Sequence, residues 1–332
     1  MINVYLCSVK RILLIQTAFI GDVILATPVM AELKRIYPQI ELDVLVRKGN
    51  ETLLVNNPAI NQIYCLDKKQ GKFASLKLLL KQFRAKKYDE VINLHRFGSS
   101  GFLTAFSGAK SKVGFSKNPF SFFYTLKIQH ELKLGIHEVE RNLACIEHHG
   151  AVSKRRPEIF PSISDLEKVK DLQNQNYYCL APASIWFTKQ LPEHKWIELG
   201  KILVKKGTVY LVGGPNDSAL CDRIVKEINS ENSHNLAGKY SFLQSAALFK
   251  NAQMNYVNDS GPLHFCSAVN APVTAFFCST SPEFGFGPLS DQSRIIESGL
   301  LPCKPCGLHG YKACPKGHFK CGEQIHIDSE LV

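Results

Sequence analysis

Four short stretches of this sequence combine small, hydroxyl, acidic and basic residues in the way that phosphate-binding or proton-transferring loops do. The first is Thr17–Val23, in which Gly21 permits a close backbone approach and Asp22 stands at the start of a predicted helix. A carboxylate at that position either caps the helix or acts as a general base. The spacing by itself leaves both interpretations open.

The second stretch, Pro182–Pro192, follows a predicted strand and carries hydroxyl and cationic side chains. Ser184 and Thr188 offer O–H donors, and Lys189 offers a point charge. Such a set suits a diphosphate. The alternative is an exposed lysine in front of a helix.

A Gly-Gly turn forms the third stretch, where Gly213 and Gly214 precede Pro215. Glycines at this place let the backbone come close to a ligand. Asp217 follows at a predicted helix start, where its carboxylate can accept hydrogen bonds from a ribose.

The most specific stretch is Asn258–His264, in which Ser260 and Gly261 open a helix that has Pro262 in its first turn. Proline suits a first turn, and the amides and dipole of a helix start favour an anion such as pyrophosphate. His264 lies on the same turn, either as a ligand contact or as a buried core histidine.

Short β-branched runs alternate with amphipathic segments through both halves of the chain, which predicts two parallel sheets. The predicted strands are Arg11–Gln16, Glu41–Val46, Gln62–Leu66, Glu90–Leu94, Tyr177–Ala181, Thr208–Val212, Met254–Val257 and Pro272–Phe277. The predicted helices are Asp22–Ile36, Lys72–Ala85, His137–His149, Glu193–Lys205, Asp217–Asn229, Ser241–Lys250 and Pro262–Val269, with a loop over His95–Tyr124. In such sheets ligands bind beyond the carboxyl ends of the strands, where all four stretches fall.

The predicted fold class is therefore α/β, with two Rossmann-like doubly wound domains that face a cleft. A length of 332 residues suits two domains at about 150 residues each. The basic, proline-containing stretch Ser153–Pro161 predicts a linker, which gives domains over residues 1–155 and 156–332 with a Cys-rich tail over 303–332.

Several classes of protein are disfavoured by what the sequence lacks. No G-x-G-x-x-G follows the first strand and no G-x-x-x-x-G-K-[ST] occurs, which argues against a dehydrogenase and a P-loop nucleotidase. The longest apolar stretch, Arg11–Val29, is interrupted by Gln16, Gly21 and Asp22, and the N-terminus has no signal-peptide pattern. We therefore expect a cytoplasmic location.

The net charge of +11 lies entirely in the first half of the chain. Residues 1–155 hold 23 Lys+Arg against 12 Asp+Glu, whereas residues 156–332 hold 17 against 17. A basic half suits nucleic acid, an anionic membrane or a phosphorylated substrate, or is simply a solvated surface.

The 11 cysteines fall into two groups. The isolated ones are expected to be small buried hydrophobes: Cys7, Cys65, Cys145, Cys179, Cys221, Cys266 and Cys278. The others have a C-x2-C-x7-C-x6-C spacing that permits a structural zinc site or disulfides: Cys303, Cys306, Cys314 and Cys321.

Taken together and in this order, the motifs resemble the ADP-heptose:lipopolysaccharide heptosyltransferases, glycosyltransferase family 9, over nearly the whole chain. The stretches that carry the resemblance are Ile15–Val23 with Thr27-Pro28, Ser184 with Lys189-x-x-Pro192, Val212–Pro215, Leu236–Gly238 and Asn258–His264. The tail from Leu301 to Leu331 resembles that of the heptosyltransferase II type. This resemblance implies the two-domain GT-B fold.

The resemblance also implies roles for individual residues. Asp22 would be the catalytic base, Ser184 and Lys189 would hold the donor diphosphate, and Asp217 would contact the ribose. Asp259, Gly261 and His264 would touch the donor sugar and phosphates, although Ile185 replaces a hydroxyl residue of some members. Lys189 and the amides at Ser260 to Pro262 would stabilise the departing ADP.

The implied reaction is an inverting transfer of heptose from ADP-heptose to a lipid A-core acceptor at the inner face of the inner membrane. The absence of an Asp-x-Asp signature predicts that catalysis needs no metal or other cofactor. Arg96, His137 and Arg141 fit contacts to an anionic acceptor or, as the alternative, ordinary surface positions. Phe120, Phe122 and Phe123 fit either a docking surface or, preferably, a core.

Two alternatives remain at this stage. The same scaffold could use another nucleotide sugar, since the sugar pocket is not readable from the sequence. A basic nucleic-acid-binding protein with a zinc tail is more distant, because the basic residues and the cysteines lie in opposite halves and no basic stripe interleaved with aromatics occurs.

Overall fold

The computed structural model describes residues 11–67, 71–131 and 135–328 of the chain. These residues divide into two compact units. The first unit contains residues 11–67, 71–131 and 138–160, and the second contains residues 135–137 and 161–328. Residues 156–160, predicted to begin the second domain, therefore belong to the first unit.

The first unit is built on a parallel six-stranded sheet in the order β3-β2-β1-β4-β5-β6. Its strands are β1 (Arg11–Gln16), β2 (Glu41–Arg47), β3 (Gln62–Leu66), β4 (Glu90–Asn93), β5 (Ser111–Phe115) and β6 (Leu126–Ile128). Its helices are α1 (Ile20–Leu25), α2 (Thr27–Ile36), α3 (Lys72–Lys86), α4 (Gly98–Phe106) and α5 (Glu138–Leu143). Residues 12–15 of β1 form a continuous apolar run and are fully buried, as expected for a strand with both faces covered.

Three features of this unit differ from the sequence prediction. The single helix predicted over Asp22–Ile36 is divided at Ala26, where α2 begins anew with Pro28 in its first turn. The predicted loop over His95–Tyr124 contains α4 and β5. Phe122 and Phe123 lie after β5 with 68% and 42% of their surface exposed, so their interpretation as core residues is wrong.

A second parallel six-stranded sheet forms the second unit, in the order β12-β11-β10-β7-β8-β9. Its strands are β7 (Tyr177–Ala181), β8 (Thr208–Leu211), β9 (Ser233–Asn235), β10 (Met254–Asn258), β11 (Val273–Phe277) and β12 (Ser293–Glu297). Its helices are α6 (Ile163–Val169), α7 (Glu193–Leu203), α8 (Ser218–Ile228), α9 (Phe242–Lys250), α10 (Gly261–Val269) and α11 (Lys320–Glu323). When strands are counted within each unit, the order is the same in both.

The tail is part of the core of the second unit. Phe319, Cys321, Ile325 and Ile327 pack in one apolar cluster with residues such as Trp196 of α7. Burial of these side chains fixes residues 319–327 against the sheet by the hydrophobic effect.

Both sheets confirm the predicted doubly wound α/β class. In the first, the strand order reverses between β1 and β4, and in the second between β7 and β10. Loops that follow such a switch point are the usual ligand sites of doubly wound sheets. Among the described residues, no helix has the length and apolarity that a bilayer crossing requires.

Candidate active site

The switch point of the first unit brings together the loops after β1 and β4. Thr17 and His95 are both buried, and the Thr17 hydroxyl lies 2.8 Å from Nδ1 of His95. Nδ2 of Asn50 donates to the carbonyl of Ala18 at 3.2 Å. These contacts fix the loop that carries Asp22, and the role of Asn50 was not apparent in the sequence.

Asp22 lies in the first turn of α1, where its carboxylate accepts a hydrogen bond of 3.1 Å from the amide of Phe19. The helix-capping interpretation is therefore confirmed. Burial and the nearby charge of Glu138 raise the pKa of Asp22 to about 6, against the lowering effects of the Phe19 amide and Arg96. A carboxyl group with this pKa exchanges protons near neutral pH, as a general base must.

Glu138 is a residue of this region that the sequence analysis missed. Its carboxylate lies 2.7 Å from Nε of Arg141 and 3.4 Å from Nε2 of His130. Burial raises the pKa of Glu138, but His130 and Arg141 outweigh it and shift the pKa downward. Glu138 therefore stays ionised and disfavours the charge on Asp22.

The three predicted acceptor residues lie in different surroundings. Arg96 follows β4, partly exposed and close enough to Asp22 to lower its pKa. Arg141 is buried on α5 and paired with Glu138. His137 belongs to the second unit, where its Nε2 lies 3.1 Å from the carbonyl of Gly287.

The switch point of the second unit brings together the loops after β7 and β10. Asn258, at the end of β10, bridges them: its Oδ1 accepts from the amide of Leu191, and its Nδ2 donates to the carbonyl of Pro182. Asn258 is fully buried, so the two loops are held by a satisfied amide. The sequence motif contained this residue but did not indicate its bridging role.

Lys189 and Asp259 lie on these two loops, with Nζ of Lys189 2.6 Å from Oδ2 of Asp259. The same oxygen accepts a hydrogen bond of 2.6 Å from the hydroxyl of Thr280. Asp259 thus orients the ammonium group, a pairing that the sequence did not indicate. A diphosphate at this loop would share the ammonium with the Asp259 carboxylate.

Thr188 occupies a buried position behind the loop. Its hydroxyl accepts hydrogen bonds from Ser279 at 2.9 Å and from the amide of Tyr311 at 2.8 Å. Thr188 is only 1% exposed, so these contacts anchor the tail to the loop, and its role as a donor to a diphosphate stays a prediction. Ser184 is partly exposed, and Nε2 of Gln190 donates to its carbonyl at 2.6 Å.

The Gly-Gly turn after β8 is closed by Asp217, whose carboxylate accepts a 2.7 Å hydrogen bond from the amide of Gly214. A Cβ on Gly213 would lie 2.8 Å from Cβ of Asp217, so this position excludes larger residues. The amide of Gly238 donates to the carbonyl of Gly213 at 2.9 Å and fixes the turn from the other side. One oxygen of Asp217 therefore holds the turn.

Helix α10 starts beyond the carboxyl end of β10, with Ser260 as its N-cap residue. Pro262 has no N–H, and the amide of Leu263 donates to the carbonyl of Ser260. The amides that could bind an anion at this helix start are therefore those of Ser260 and Gly261. Both residues are partly exposed.

His264 is buried in the first turn of α10, and among the described residues its Nδ1 has no hydrogen-bond partner. Burial, with the charges of His137 and Lys189, lowers its pKa to about 3. The imidazole is therefore neutral at physiological pH. It can offer a hydrogen bond to a ligand but no positive charge.

The lowered pKa of His264 predicts acid sensitivity. In the unfolded chain this imidazole is protonated below its ordinary pKa of about 6.5, whereas in the folded chain it is protonated only near pH 3. The folded state therefore loses stability as pH falls through this interval. We expect His264→Gln to reduce that loss by about 2 kcal/mol between pH 7 and pH 4. Urea unfolding of both proteins at pH 7 and pH 4 measures the change in the free energy of unfolding. Equal losses of stability in the two proteins would contradict the burial of a neutral imidazole.

The four tail cysteines lie near one another: burial and the nearby Cys306, Cys314 and Cys303 raise the pKa of Cys321 to about 11. No three of their sulfurs lie within 4.8 Å of one another, which a tetrahedral zinc site requires. Cys303 lies 3.9 Å from Nε2 of His318, and the thiol of Cys306 donates to the carbonyl of Cys303. A zinc ion at these cysteines is not shown by this geometry and stays a prediction.

Most of the isolated cysteines that the structure describes are buried, as expected. Five are buried, namely Cys145, Cys179, Cys221, Cys266 and Cys278, whereas Cys65 is only partly buried. Cys7 lies outside the described residues.

Two doubly wound sheets, with an acidic residue at one switch point and a cation and a helix start at the other, are compatible with a two-domain glycosyltransferase. The family model for glycosyltransferase family 9 (heptosyltransferase) matches residues 76–313. Lipopolysaccharide heptosyltransferase 3 of Escherichia coli is 31% identical over 80% of this chain and 83% of its own length. The chain belongs to glycosyltransferase family 9 and is a glycosyltransferase.

Further comparisons agree with this family. Lipopolysaccharide heptosyltransferase 2 of Salmonella typhimurium is 24% identical over 86% of this chain and 87% of its own length. The solved structure of ADP-heptose lipopolysaccharide heptosyltransferase II of Escherichia coli has a TM-score of 0.77 and 22% identity, covering 94% of this chain and 97% of that one. The GT-B fold is confirmed, while the similarity to the type II enzyme in particular stays a prediction.

Proposed function

We propose that this glycosyltransferase moves a heptose from ADP-heptose to the inner core of lipopolysaccharide, with inversion at the sugar carbon. The observation that carries the proposal is the second switch point, where Lys189, the start of α10 and a neutral His264 gather on adjacent elements. A cation with helix amides is a set that binds diphosphates. The name of the Escherichia coli structure, an ADP-heptose lipopolysaccharide heptosyltransferase, supports ADP-heptose as the donor.

In the proposed reaction Asp22 removes the proton from an acceptor hydroxyl, and that oxygen forms a bond to the sugar carbon. The bond from this carbon to the diphosphate breaks, and ADP leaves with the electron pair. Lys189 and the amides of Ser260 and Gly261 stabilise the charge on ADP. In this scheme the protein supplies the base from a side chain and the leaving-group stabilisation from a side chain and backbone amides, and no cofactor takes part in the chemistry.

Within the proposed donor site, Asp217 has one carboxylate oxygen engaged by Gly214 and offers the other to the ribose. Ser184 adds a hydroxyl from the loop after β7, and Asp259 orients Lys189. On the acceptor side we assign Arg96 to the anionic groups of the core. Arg141, being buried against Glu138, acts there through the charge balance around Asp22.

A donor screen tests the assignment. We expect ADP and ADP-heptose to raise the melting temperature of the full chain at concentrations where UDP, GDP and their sugars do not. Stabilisation by UDP-sugars instead would favour a family member with another donor. Retention on DNA with no response to any nucleotide would contradict the proposal altogether.

We also propose that the first unit docks on the anionic inner face of the inner membrane through the outer face of α3. Phe73 and Leu78 on this helix have 84% and 59% of their surface exposed. Lys77 and Lys81 are exposed beside them. A helix that presents apolar and basic residues together suits a membrane surface with anionic lipids.

Binding to vesicles tests the docking face. We expect the chain to bind phosphatidylethanolamine vesicles that contain phosphatidylglycerol and to release them as salt rises, because the screening length falls from about 10 Å at 0.1 M to about 3 Å at 1 M. Lys77→Gln with Lys81→Gln should weaken binding roughly 30-fold, at about 1 kcal/mol for each charge. The matched control is Lys205→Gln with Lys206→Gln in the second unit, and equal losses in the two double variants would exclude α3 as the docking face.

A further inference from the structure

A second cluster of titratable side chains lies at the amino end of β4. Glu90 begins this strand, and His148 and His149 end the 3-10 segment Ala144–His149 that follows α5. Nε2 of His148 is 3.0 Å from Oε1 of Glu90, and Nε2 of His149 is 2.6 Å from Oε2. One possible ligand atom from each of the three residues lies within 4.8 Å of the other two.

The contact between His149 and Glu90 is short enough for the two groups to share a proton: Nε2 of His149 lies 2.6 Å from Oε2 of Glu90. Both atoms are buried, with 6% and 4% of the two side chains exposed, and apart from this contact neither has a hydrogen-bond partner among the described residues. Ligand side chains release such protons when a metal ion binds. A cation that replaced the shared proton would engage a lone pair on each atom.

Outer contacts orient the cluster in the way that metal ligands are usually oriented. The hydroxyl of Tyr37 lies 3.1 Å from Nδ1 of His149, and a proton on Nδ1 donated to Tyr37 leaves Nε2 free to bind. The hydroxyl of Ser111 donates to Oε1 of Glu90 at 2.6 Å. Metal-binding histidines and carboxylates characteristically have such partners.

We propose that Glu90, His148 and His149 bind one divalent transition-metal ion, with Zn²⁺ as the best match. Two imidazole nitrogens and one carboxylate oxygen form a known zinc donor set, and a water can complete a tetrahedron. His148, whose side chain is 30% exposed, gives the ion a path from solvent. No part of the candidate active site includes these residues.

The position of the cluster indicates a structural role for the ion. It lies at the amino end of β4, whereas Arg96 and the other candidate residues of the first unit follow the carboxyl ends of strands. A bound ion would join the segment after α5 to the sheet of the same unit. Removing it should therefore lower the melting temperature and leave the rate of sugar transfer nearly unchanged.

Metal titration of the full chain tests the site. After the protein is stripped with a chelator, we expect ZnCl₂ in competition with a chromophoric chelator to fill one site in a protein that carries Cys303→Ser and Cys306→Ser. Loss of a residue that hydrogen-bonds a metal ligand typically weakens metal binding roughly 10- to 100-fold. In the double-serine variant, His148→Ala should weaken zinc binding by more than this, because it removes a ligand. Tyr37→Phe, which retains all three ligands, should cost less than His148→Ala.

The matched control is His194→Ala, because His194 forms an exposed pair with Glu323 at 3.5 Å and should not affect zinc binding. Co²⁺ in place of zinc identifies the ligands: nitrogen and oxygen ligands give d–d bands without thiolate charge transfer. The proposal would be overturned if the unsubstituted chain showed thiolate charge transfer and the variant with Cys303→Ser and Cys306→Ser bound no cobalt. So would a folded chain that takes up no metal, since the cluster would then be an ion pair only.

Discussion

Asp22→Asn is expected to slow sugar transfer by about 10²-fold to 10⁴-fold, because it removes a positioned general base. The asparagine Oδ1 can still accept the hydrogen bond from Phe19, so α1 keeps its cap. The kcat/KM of the unsubstituted enzyme should fall on the acid side with an apparent pKa near the value of about 6 that burial and Glu138 give Asp22. Single-turnover transfer and a pH profile measure both effects.

The same substitution should stabilise the fold at alkaline pH. Burial and Glu138 raise the pKa of Asp22 from 3.8 to about 6, so the folded state loses stability as pH rises through that interval. Because the side chain is partly exposed, we expect a gain of about 1 to 2 kcal/mol for Asp22→Asn at pH 8 and none at pH 3. A loss of stability at pH 8 would mean that the carboxylate is chiefly a cap.

A matched control for the cap exists in α6. The carboxylate of Asp165 accepts a hydrogen bond of 2.9 Å from the amide of Ser162, in the same relation as Asp22 to Phe19. Asp165→Asn should therefore leave the transfer rate unchanged. Near-normal transfer by both variants would remove Asp22 from the mechanism.

Lys189→Ala is expected to lower kcat/KM for the donor by an amount equivalent to about 2 to 4 kcal/mol. The variant loses a charge-assisted contact to the diphosphate, and it also leaves Asp259 without the cation that lies 2.6 Å from it. An uncompensated carboxylate beside a diphosphate repels it, which places the expected loss in the upper part of the range. Steady-state kinetics over a range of donor concentrations measures the effect.

A double variant separates the two contributions. If part of the loss comes from Asp259, Lys189→Ala with Asp259→Asn should retain more activity than Lys189→Ala alone. The control Lys205→Ala removes an exposed lysine in front of β8, at the amino edge of the second sheet, and should have no effect. An unchanged kcat/KM in Lys189→Ala would exclude this lysine from donor use.

The parts of the fold that the sequence predicted are those with a strong local pattern. Strands such as β1 and β11 are short buried apolar runs, and their positions followed from that alone. Strand β12 was not predicted because its residues are mostly exposed and polar, and β9 was not predicted because it has only three residues. Hydrogen bonds to the neighbouring strands define β9 and β12, and the local sequence pattern does not indicate such pairing.

The candidate site was predictable to a similar extent. Motifs indicated the loops that carry Asp22, Lys189 and His264, since each follows a strand and opens a helix. Their partners were not predictable, because Glu138 lies far along the chain from Asp22 and Asp259 far from Lys189. The cluster of Glu90 with His148 was missed for the same reason: its members are 58 positions apart.

The most direct test of the central assignment is a transfer assay with ADP-heptose and a heptose-acceptor lipid A-core. We predict that the product gains the mass of one heptose, that ADP is released in equal amount, and that nuclear magnetic resonance shows the opposite anomeric configuration to that of the donor. Absence of transfer from ADP-heptose while another nucleotide sugar is used, or a product that retains the configuration of the donor, would contradict the account.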